Sequence, residues 1–485
     1  MRGTSALRQA TAPASRRKTR AARGGTGIAV LASAVLVTSL TCGSAAAAAR
    51  RTDGPASARA SEWPTYLNGP RHTSYSASQT TITAANATDL ELKWHVTNGA
   101  YLASPTVADG AVFIGSSNGY LYKLDETTGA VLAQYYIGVQ SAKTCPALGV
   151  VSTATVASDP RTHQPTVYVA GPDGYLYALS AANLALDWKS VVGIPSKKVS
   201  NYFNWSSPTV AHGRVYIGIS SNCDTPLIHG GVASYSQATG RNLEEFHTVP
   251  KDDIGGSVWS SIGIGPDGDV YATTGNGPGS SPELDHSDSI IKLGPYELRY
   301  LGAFKIPASQ ALHDGDFGGS PVFFDGDVGA CNKNGIFYAL HAATMRVAWE
   351  RRIGASANGV EEAECSAAPA YNGKDLYFGG PGVQIHGMSY RGSVQERNPA
   401  TGALIWETGL PNGVVGSPSL DGAGVLAVGT YEFKETTRNA TYLVDAANGK
   451  ILTTVTQGLD FPQSVFAGGW LFTASYDGVS AWAQP

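Results

Sequence analysis

One pattern, first complete at Ala103–Ile137 (ASPTVADGAVFIGSSNGYLYKLDETTGAVLAQYYI), restricts the fold more than anything else in the chain. Short apolar runs at Thr106–Ala108, Val112–Ile114, Tyr120–Leu124 and Val131–Tyr136 are separated by Asp109-Gly110, Asn118-Gly119 and Thr128-Gly129. Period-two alternation turns one side of each run toward a core, and the turn pairs accept positive φ with little strain. The stretch therefore reads as four short antiparallel strands, A to D, joined by hairpins. The pattern recurs down the chain, and four strands per repeat predict an all-β fold, a β-propeller.

Repeats fall at about 103–137, 153–193, 205–249, 257–306, 316–353, 365–409 and 416–456. After the last, Ser464–Trp482 offers three strands, and before the first, Leu90–Val96 offers one. The orphan strand would complete an eighth four-stranded blade and close the ring, so no gap is left between first and last blades. The expected domain is a single eight-bladed propeller over 63–485, acting as a monomer.

Composition narrows the function. Glycine, at 58 of 485 residues, suits a hairpin-rich chain, and charged residues are only 15%. A net charge of −4 without a basic block argues against nucleic acid as partner. Residues 1–49 read as a secretory signal peptide: basic from Arg2 to Arg23, apolar from Ile28 to Leu40, then small residues at Ala45–Ala49. That apolar run is shorter than the roughly 20 residues a membrane span needs. Ser15-Arg16-Arg17 hints at twin-arginine export and Cys42 at a lipid anchor, each with a poor surrounding match. Residues 50–62 read as a disordered leader, and the mature protein is expected to be secreted or extracytoplasmic. Cys145, Cys223, Cys331 and Cys365 then remain, which favours two disulfides. Cys331 ends strand B of blade five and Cys365 begins strand A of blade six, so this pair is expected to bridge, with Cys145–Cys223 as the second pair. No CxxCH motif for covalent haem occurs.

Antiparallel strands put the A–B and C–D turns on one face of the disc and the B–C loops and interblade links on the other. Blades one and two have minimal B–C loops, whereas Cys223–Gly231, Asn276–Ser289, Pro381–Gly392 and Tyr431–Asn439 are longer. Extra length on one face of a rigid scaffold is where binding residues are usually placed, although neutral drift of surface loops gives the same pattern. Asp224, Asn276 (in ATTGNG) and Asp314 with Asp316 (in HDGDF) reach this face from consecutive blades. Singly each is an ordinary turn former; together their oxygens suit a hard cation such as Ca²⁺. Trp259, in GGSVWSS, either packs between blades or floors a site for a flat ligand. Lys333, in CNKNGIFYAL, is either a solvated loop lysine or a donor to a ligand oxygen. Gly115-Ser116-Ser117-Asn118-Gly119 matches GxSxG only formally, being a hairpin loop rather than a strand-to-helix elbow.

Over roughly 63–485 these residues resemble the pyrroloquinoline quinone (PQQ)-dependent alcohol dehydrogenases, including the polyvinyl-alcohol-dehydrogenase-like branch. The resemblance rests on WPTYLNGPRHTSYS (Trp63–Ser76), on repeats such as Tyr177-Ala178-Leu179 and Thr401-Gly402 with Trp406, and on VWSS, TTGNG and HDGDFGGSP. It implies that Trp259 stacks on PQQ, that Asp224, Asn276 and Asp316 hold Ca²⁺, that Asp316 is the catalytic base with Asp314 as alternative, and that Lys333 lies near the quinone. The family's adjacent cysteine pair is absent, Asp224 stands where the family has Glu, and no arginine accompanies Cys145. Two readings follow: a PQQ- and Ca²⁺-dependent dehydrogenase of small or polymeric alcohols, or a noncatalytic propeller binding a protein, polymer or envelope ligand through its loop-rich face.

Overall fold

The computed structural model describes residues 62–141, 146–193, 201–277, 285–357, 364–432, 439–458 and 460–485. All of these belong to the unit Asp53–Pro485. The expected signal peptide, almost all of the leader, Cys42, Cys145 and parts of the long B–C loops lie outside the described residues.

Turn chemistry sets the strands locally. In blade one, Thr106–Ala108 pairs with Ala111–Gly115 across Asp109 and Gly110, whose φ values are 50° and 71°. Two successive positive φ angles match the twist of the flanking strands. The described residues contain eight blades of this kind, each a four-stranded antiparallel sheet in A-B-C-D order. The eighth is closed as expected: Glu91–Val96 pairs antiparallel with Gly478–Ala483, outside Trp470–Ser475 and Val465–Ala467. Blade seven gains Tyr75–Ser76, parallel to the inner edge of Ser419–Asp421, and the blade-six loop forms its own hairpin, Val383–Ile385 with Met388–Tyr390.

Apolar side chains are shared between neighbouring blades, and the closing seam is built like the others. Val465, Phe472 and Val479 of blade eight pack with Val112, Ile114 and Leu124 of blade one. The repeated glycine of the C–D turn has a specific cause. A Cβ at Gly402 would lie 2.5 Å from the Trp349 ring, and one at Gly449 would lie 2.5 Å from Trp406. Each of these tryptophans covers the turn of the next blade and donates its indole N–H to it, Trp349 to Pro399 O at 2.7 Å and Trp406 to Ala446 O at 3.0 Å. Glycine is therefore required both for positive φ and for the room the indole occupies.

Around the axis runs a belt of hydroxyls that locks one blade to the next. The backbone N–H of Ser104 donates to Thr153 Oγ1 at 3.0 Å, Thr153 to Ser207 Oγ at 3.1 Å, Ser207 to Ser261 Oγ at 3.0 Å and Ser261 to Ser320 Oγ at 2.9 Å. On the A–B-turn side of this belt the segment Trp63–Ser76 crosses the ring. Its carbonyls accept from equivalent inner-edge N–H groups of six A strands: Val107, Val156, Ile264, Phe323, Tyr371 and Leu420, at 2.8–3.3 Å. Its Leu67 N–H also donates to Gln463 Oε1 of blade eight at 3.2 Å. Leu67, Asn68, His72 and Ser74 all adopt positive φ to make this path, a strain held by the surrounding bonds. The inner strand edges are thereby satisfied, and the axis is left as a funnel with Tyr66 among its lining residues.

Candidate active site

The face opposite that segment gathers charge. Asp224 lies just past strand B of blade three, in a turn that puts its φ at 52°. Asn276 follows strand B of blade four, and its carbonyl is fixed by the Gly256 N–H at 2.7 Å. Asp314 and Asp316 lie in the link into blade five, and Lys333 follows strand B of that blade. The Lys333 N–H donates to Asp316 O at 3.1 Å, which sets the two side chains against each other.

These side chains form one connected network. Asn276 Nδ2 donates to Asp224 Oδ2 at 3.2 Å and to Asp314 Oδ1 at 2.8 Å. Lys333 Nζ lies 3.2 Å from Asp314 Oδ2, 2.8 Å from Asp316 Oδ1 and 3.2 Å from Glu364 Oε1. The Trp259 indole N–H donates to Asp316 Oδ2 at 2.6 Å, and the Lys333 ammonium stands 5.7 Å from the Trp259 ring centroid. All six residues singled out in the sequence, Asp224, Trp259, Asn276, Asp314, Asp316 and Lys333, are thus brought together. Asp314, rather than Asp316, is the acid hydrogen-bonded to Asn276, while Asp316 is held between Trp259 and Lys333.

Glu364 was not among the sequence candidates. It occupies the link into blade six, the same topological position as Asp316 in the link before, and that equivalence was the signal available. Its neighbour Cys365 is bridged to Cys331, with Cα atoms 5.4 Å apart, so the disulfide draws Glu364 toward Lys333. The expected Cys331–Cys365 pair is present. Cys223 is also disulfide-bonded, while Cys145, its expected partner, lies outside the described residues.

Burial governs the protonation of this cluster. It raises the Asp316 carboxyl, against the lowering pull of Lys333. It raises Glu364 to about 8, again against Lys333. Burial also pushes Asp314 up, but Lys333 and Asn276 outweigh it and hold that acid below its ordinary value. For Lys333 burial works downward, and Asp316 and Glu364 more than offset it, so the ammonium is retained.

The donor set can be tested against a cation. Among the described residues no group of three or more His, Cys, Asp or Glu side chains is arranged to hold a metal. The bridging donor here is an amide: the Asn276 NH₂ sits between the Asp224 and Asp314 carboxylates, where a positive charge is favoured. That orientation is set by the Gly315 N–H, which donates to Asn276 Oδ1 at 3.2 Å; the carboxylates of Asp224 and Asp314 and the amide oxygen of Asn276 are donors of the type a hard cation takes. Among the described residues of this network the acids Asp224, Asp314, Asp316 and Glu364 outnumber the one ammonium, Lys333. The residues fit an oxygen-seeking cation beside the Trp259 ring.

Two cavities differ in size and content. One of about 450 Å³ lies at blades two and three and is lined by His229 and His247, whose rings stack at 3.9 Å. The axial funnel is smaller, about 90 Å³, but it is lined by Trp259 and adjoins the charged network. The funnel wall itself is aromatic, apolar and hydroxyl-bearing, and its link through Trp259 to the charged network makes it the functional candidate.

An eight-bladed propeller with an acidic cluster at its axis, on the loop-rich face, defines the class. A family model described as outer membrane protein assembly factor BamB (PQQ_2) matches residues 59–276 and 308–484, and the chain belongs to this PQQ-repeat family. Lupanine 17-hydroxylase [cytochrome c] of Pseudomonas sp. is 29% identical over 210 residues, covering 43% of this chain and 29% of that protein. Quinohemoprotein alcohol dehydrogenase of Comamonas testosteroni is 27% identical over 268 residues, covering 48% and 36% respectively. The chain therefore matches only about a third of the length of these curated relatives. A solved structure titled europium-containing methanol dehydrogenase superposes with a TM-score of 0.68 at 17% identity, covering 87% of this chain and 91% of that one.

Proposed function

We propose that this chain is an exported PQQ-dependent dehydrogenase that oxidises alcohols at the axial site. The observation that carries the reading is the unbroken network from Asp224 through Asn276, Asp314 and Lys333 to Asp316 and Trp259. The names of the curated relatives and of the solved methanol dehydrogenase support it. Asp224, Asn276 and Asp314 would hold calcium or a lanthanide, and the Trp259 face would carry the flat cofactor. When bound, the metal-held quinone supplies the acceptor for the hydride leaving the alcohol carbon. Asp316 accepts the hydroxyl proton: burial raises its affinity for that proton, and the Trp259 N–H fixes the carboxylate's orientation. Lys333, 2.8 Å from Asp316, opposes the burial that raises that carboxyl and offers a donor toward a ligand oxygen.

The test incubates the protein with PQQ and Ca²⁺, dialyses it and reads the retained quinone absorbance, then follows dye reduction with primary, secondary and polymeric alcohols. Retained quinone with dye reduction is expected. Asp316→Asn should lower turnover by about 10²–10⁴-fold while sparing retention, since an amide cannot accept the proton. Failure to retain quinone would favour the second reading, a noncatalytic binding propeller, for which the BamB description of the family is the supporting observation.

A further inference from the structure

The funnel holds a second indole. Trp205 precedes strand A of blade three (Thr209–Ala211) in Trp205-Ser206-Ser207, and Trp259 precedes strand A of blade four (Gly263–Ile264) in Trp259-Ser260-Ser261. Ser207 and Ser261 are successive members of the hydroxyl belt, joined at 3.0 Å, so the two tryptophans occupy equivalent positions one blade apart. Both are only half-buried, and both line the funnel.

Trp205 is not anchored like Trp349 or Trp406, whose N–H groups serve the next blade's turn. Its N–H donates to Ser221 O at 3.2 Å, with the Phe203 ring against it at 4.9 Å. Ser221 in turn holds Asp224: its Oγ accepts from the Asp224 N–H at 2.9 Å and donates to the Asp224 carboxylate. Trp259 is arranged alike, with its N–H on Asp316. Each indole lines the funnel and commits its one polar atom to a segment carrying an acid of the network. The belt hydroxyls Ser207, Ser261 and Ser320 accept from backbone N–H groups, and the two indoles are the largest ring faces among the residues lining the wall.

We propose that Trp205 is a second ring contact for a flat, conjugated ligand in the funnel, and a positioning residue for Asp224. The inference rests on the quinone reading and adds a second wall and a mechanical link from that wall to the cation site. A large, rigid aromatic face recognises a planar ring without hydrogen bonds. The Trp205 N–H fixes the Ser221 turn, and so the direction in which Asp224 presents its carboxylate.

The test titrates calcium-free protein with terbium, read by emission sensitised through neighbouring indoles, and separately measures PQQ retained on dialysis. Trp205→Leu removes both ring and N–H, so quinone affinity should fall about five- to tenfold, with terbium affinity falling as well. Trp205→Phe keeps a ring and loses the N–H: terbium affinity should fall about two- to tenfold while quinone affinity stays within about twofold of wild type. That split is the signature of the two roles, and the phenylalanine variant decides the matter if the leucine variant does not fold. Equal losses of both affinities in the two variants, tracking a lowered melting temperature, would overturn the proposal in favour of simple packing. Wild type binding both probes, with both variants indistinguishable from it, would overturn the proposal and leave the quinone reading standing. Wild type binding neither probe would overturn the quinone reading itself, and this inference with it.

Discussion

Tryptophan serves opposite ends on the two faces of the ring. On the turn face Trp349 is 5% exposed, covers Gly402 and donates to Pro399 of the next blade. On the loop face Trp259 is half-buried, lines an open funnel and donates to a buried carboxylate. The turn face joins blade to blade and carries the N-terminal segment across the axis. The loop face concentrates acids around one ammonium, with Lys333 drawn to Asp314, Asp316 and Glu364. The turn face binds blade to blade, and the loop face of the same ring carries an excess of acids over ammonium groups at the candidate site.

The largest expected effect comes from removing what the turn face holds. Deleting residues 62–96 takes away both the crossing segment and the closing strand of blade eight. Loss of a cooperative thermal transition is expected by calorimetry; an unchanged transition would show that neither closure matters to the fold.

Trp349→Ala and Trp259→Ala then compare the faces directly. The first should cost about 4 kcal/mol in denaturant unfolding, as for a buried aromatic truncated to Ala. The second should cost about 1–2 kcal/mol, chiefly for the hydrogen bond lost by Asp316. Comparable costs would erase the proposed division of labour.

A pH titration of stability sharpens the same contrast. His72, in the crossing segment, donates Nδ1–H to Pro321 O at 2.8 Å, and burial depresses its pKa to about 4. A depressed histidine contributes stability that is present above the ordinary value near 6.5 and lost as pH falls toward 4. The loss should be on the order of 3 kcal/mol. In His72→Asn that acid slope should shrink; a slope identical to wild type would place the sensitivity elsewhere.

A second titration reads the loop face. Burial raises Asp460 to about 8, while the Thr441 hydroxyl donates to it at 2.7 Å. A raised acid contributes stability that is present at low pH and lost as pH rises through the folded value. Asp460→Asn keeps an acceptor for Thr441, so it should flatten the decline between about pH 4 and 8 in urea unfolding. A steeper decline would contradict the assignment.

Local chemistry made most of the architecture legible in the sequence. Asp109-Gly110 and its counterparts dictate tight turns, alternation dictates which side of a strand is buried, and a count of strands leaves Leu90–Val96 as the only partner for the last blade. Trp259, Lys333, Asn276 and Asp224 were visible because topology alone assigns their loops to one face. Other features depended on contacts between residues hundreds of positions apart. Nothing near Leu67 announces Gln463, its hydrogen-bond partner 396 residues away, so the crossing of the axis by Trp63–Ser76 appeared only in the folded chain. Glu364 carries no motif and joins the site because a disulfide and Lys333 bring it there. Asp314 and Asp316 stand two residues apart in one link, and only packing shows that the first meets Asn276 and the second Trp259. Turn propensity and strand alternation are properties of neighbouring residues and can be read along a chain; hydrogen bonds across a closed ring exist only once the blades have packed.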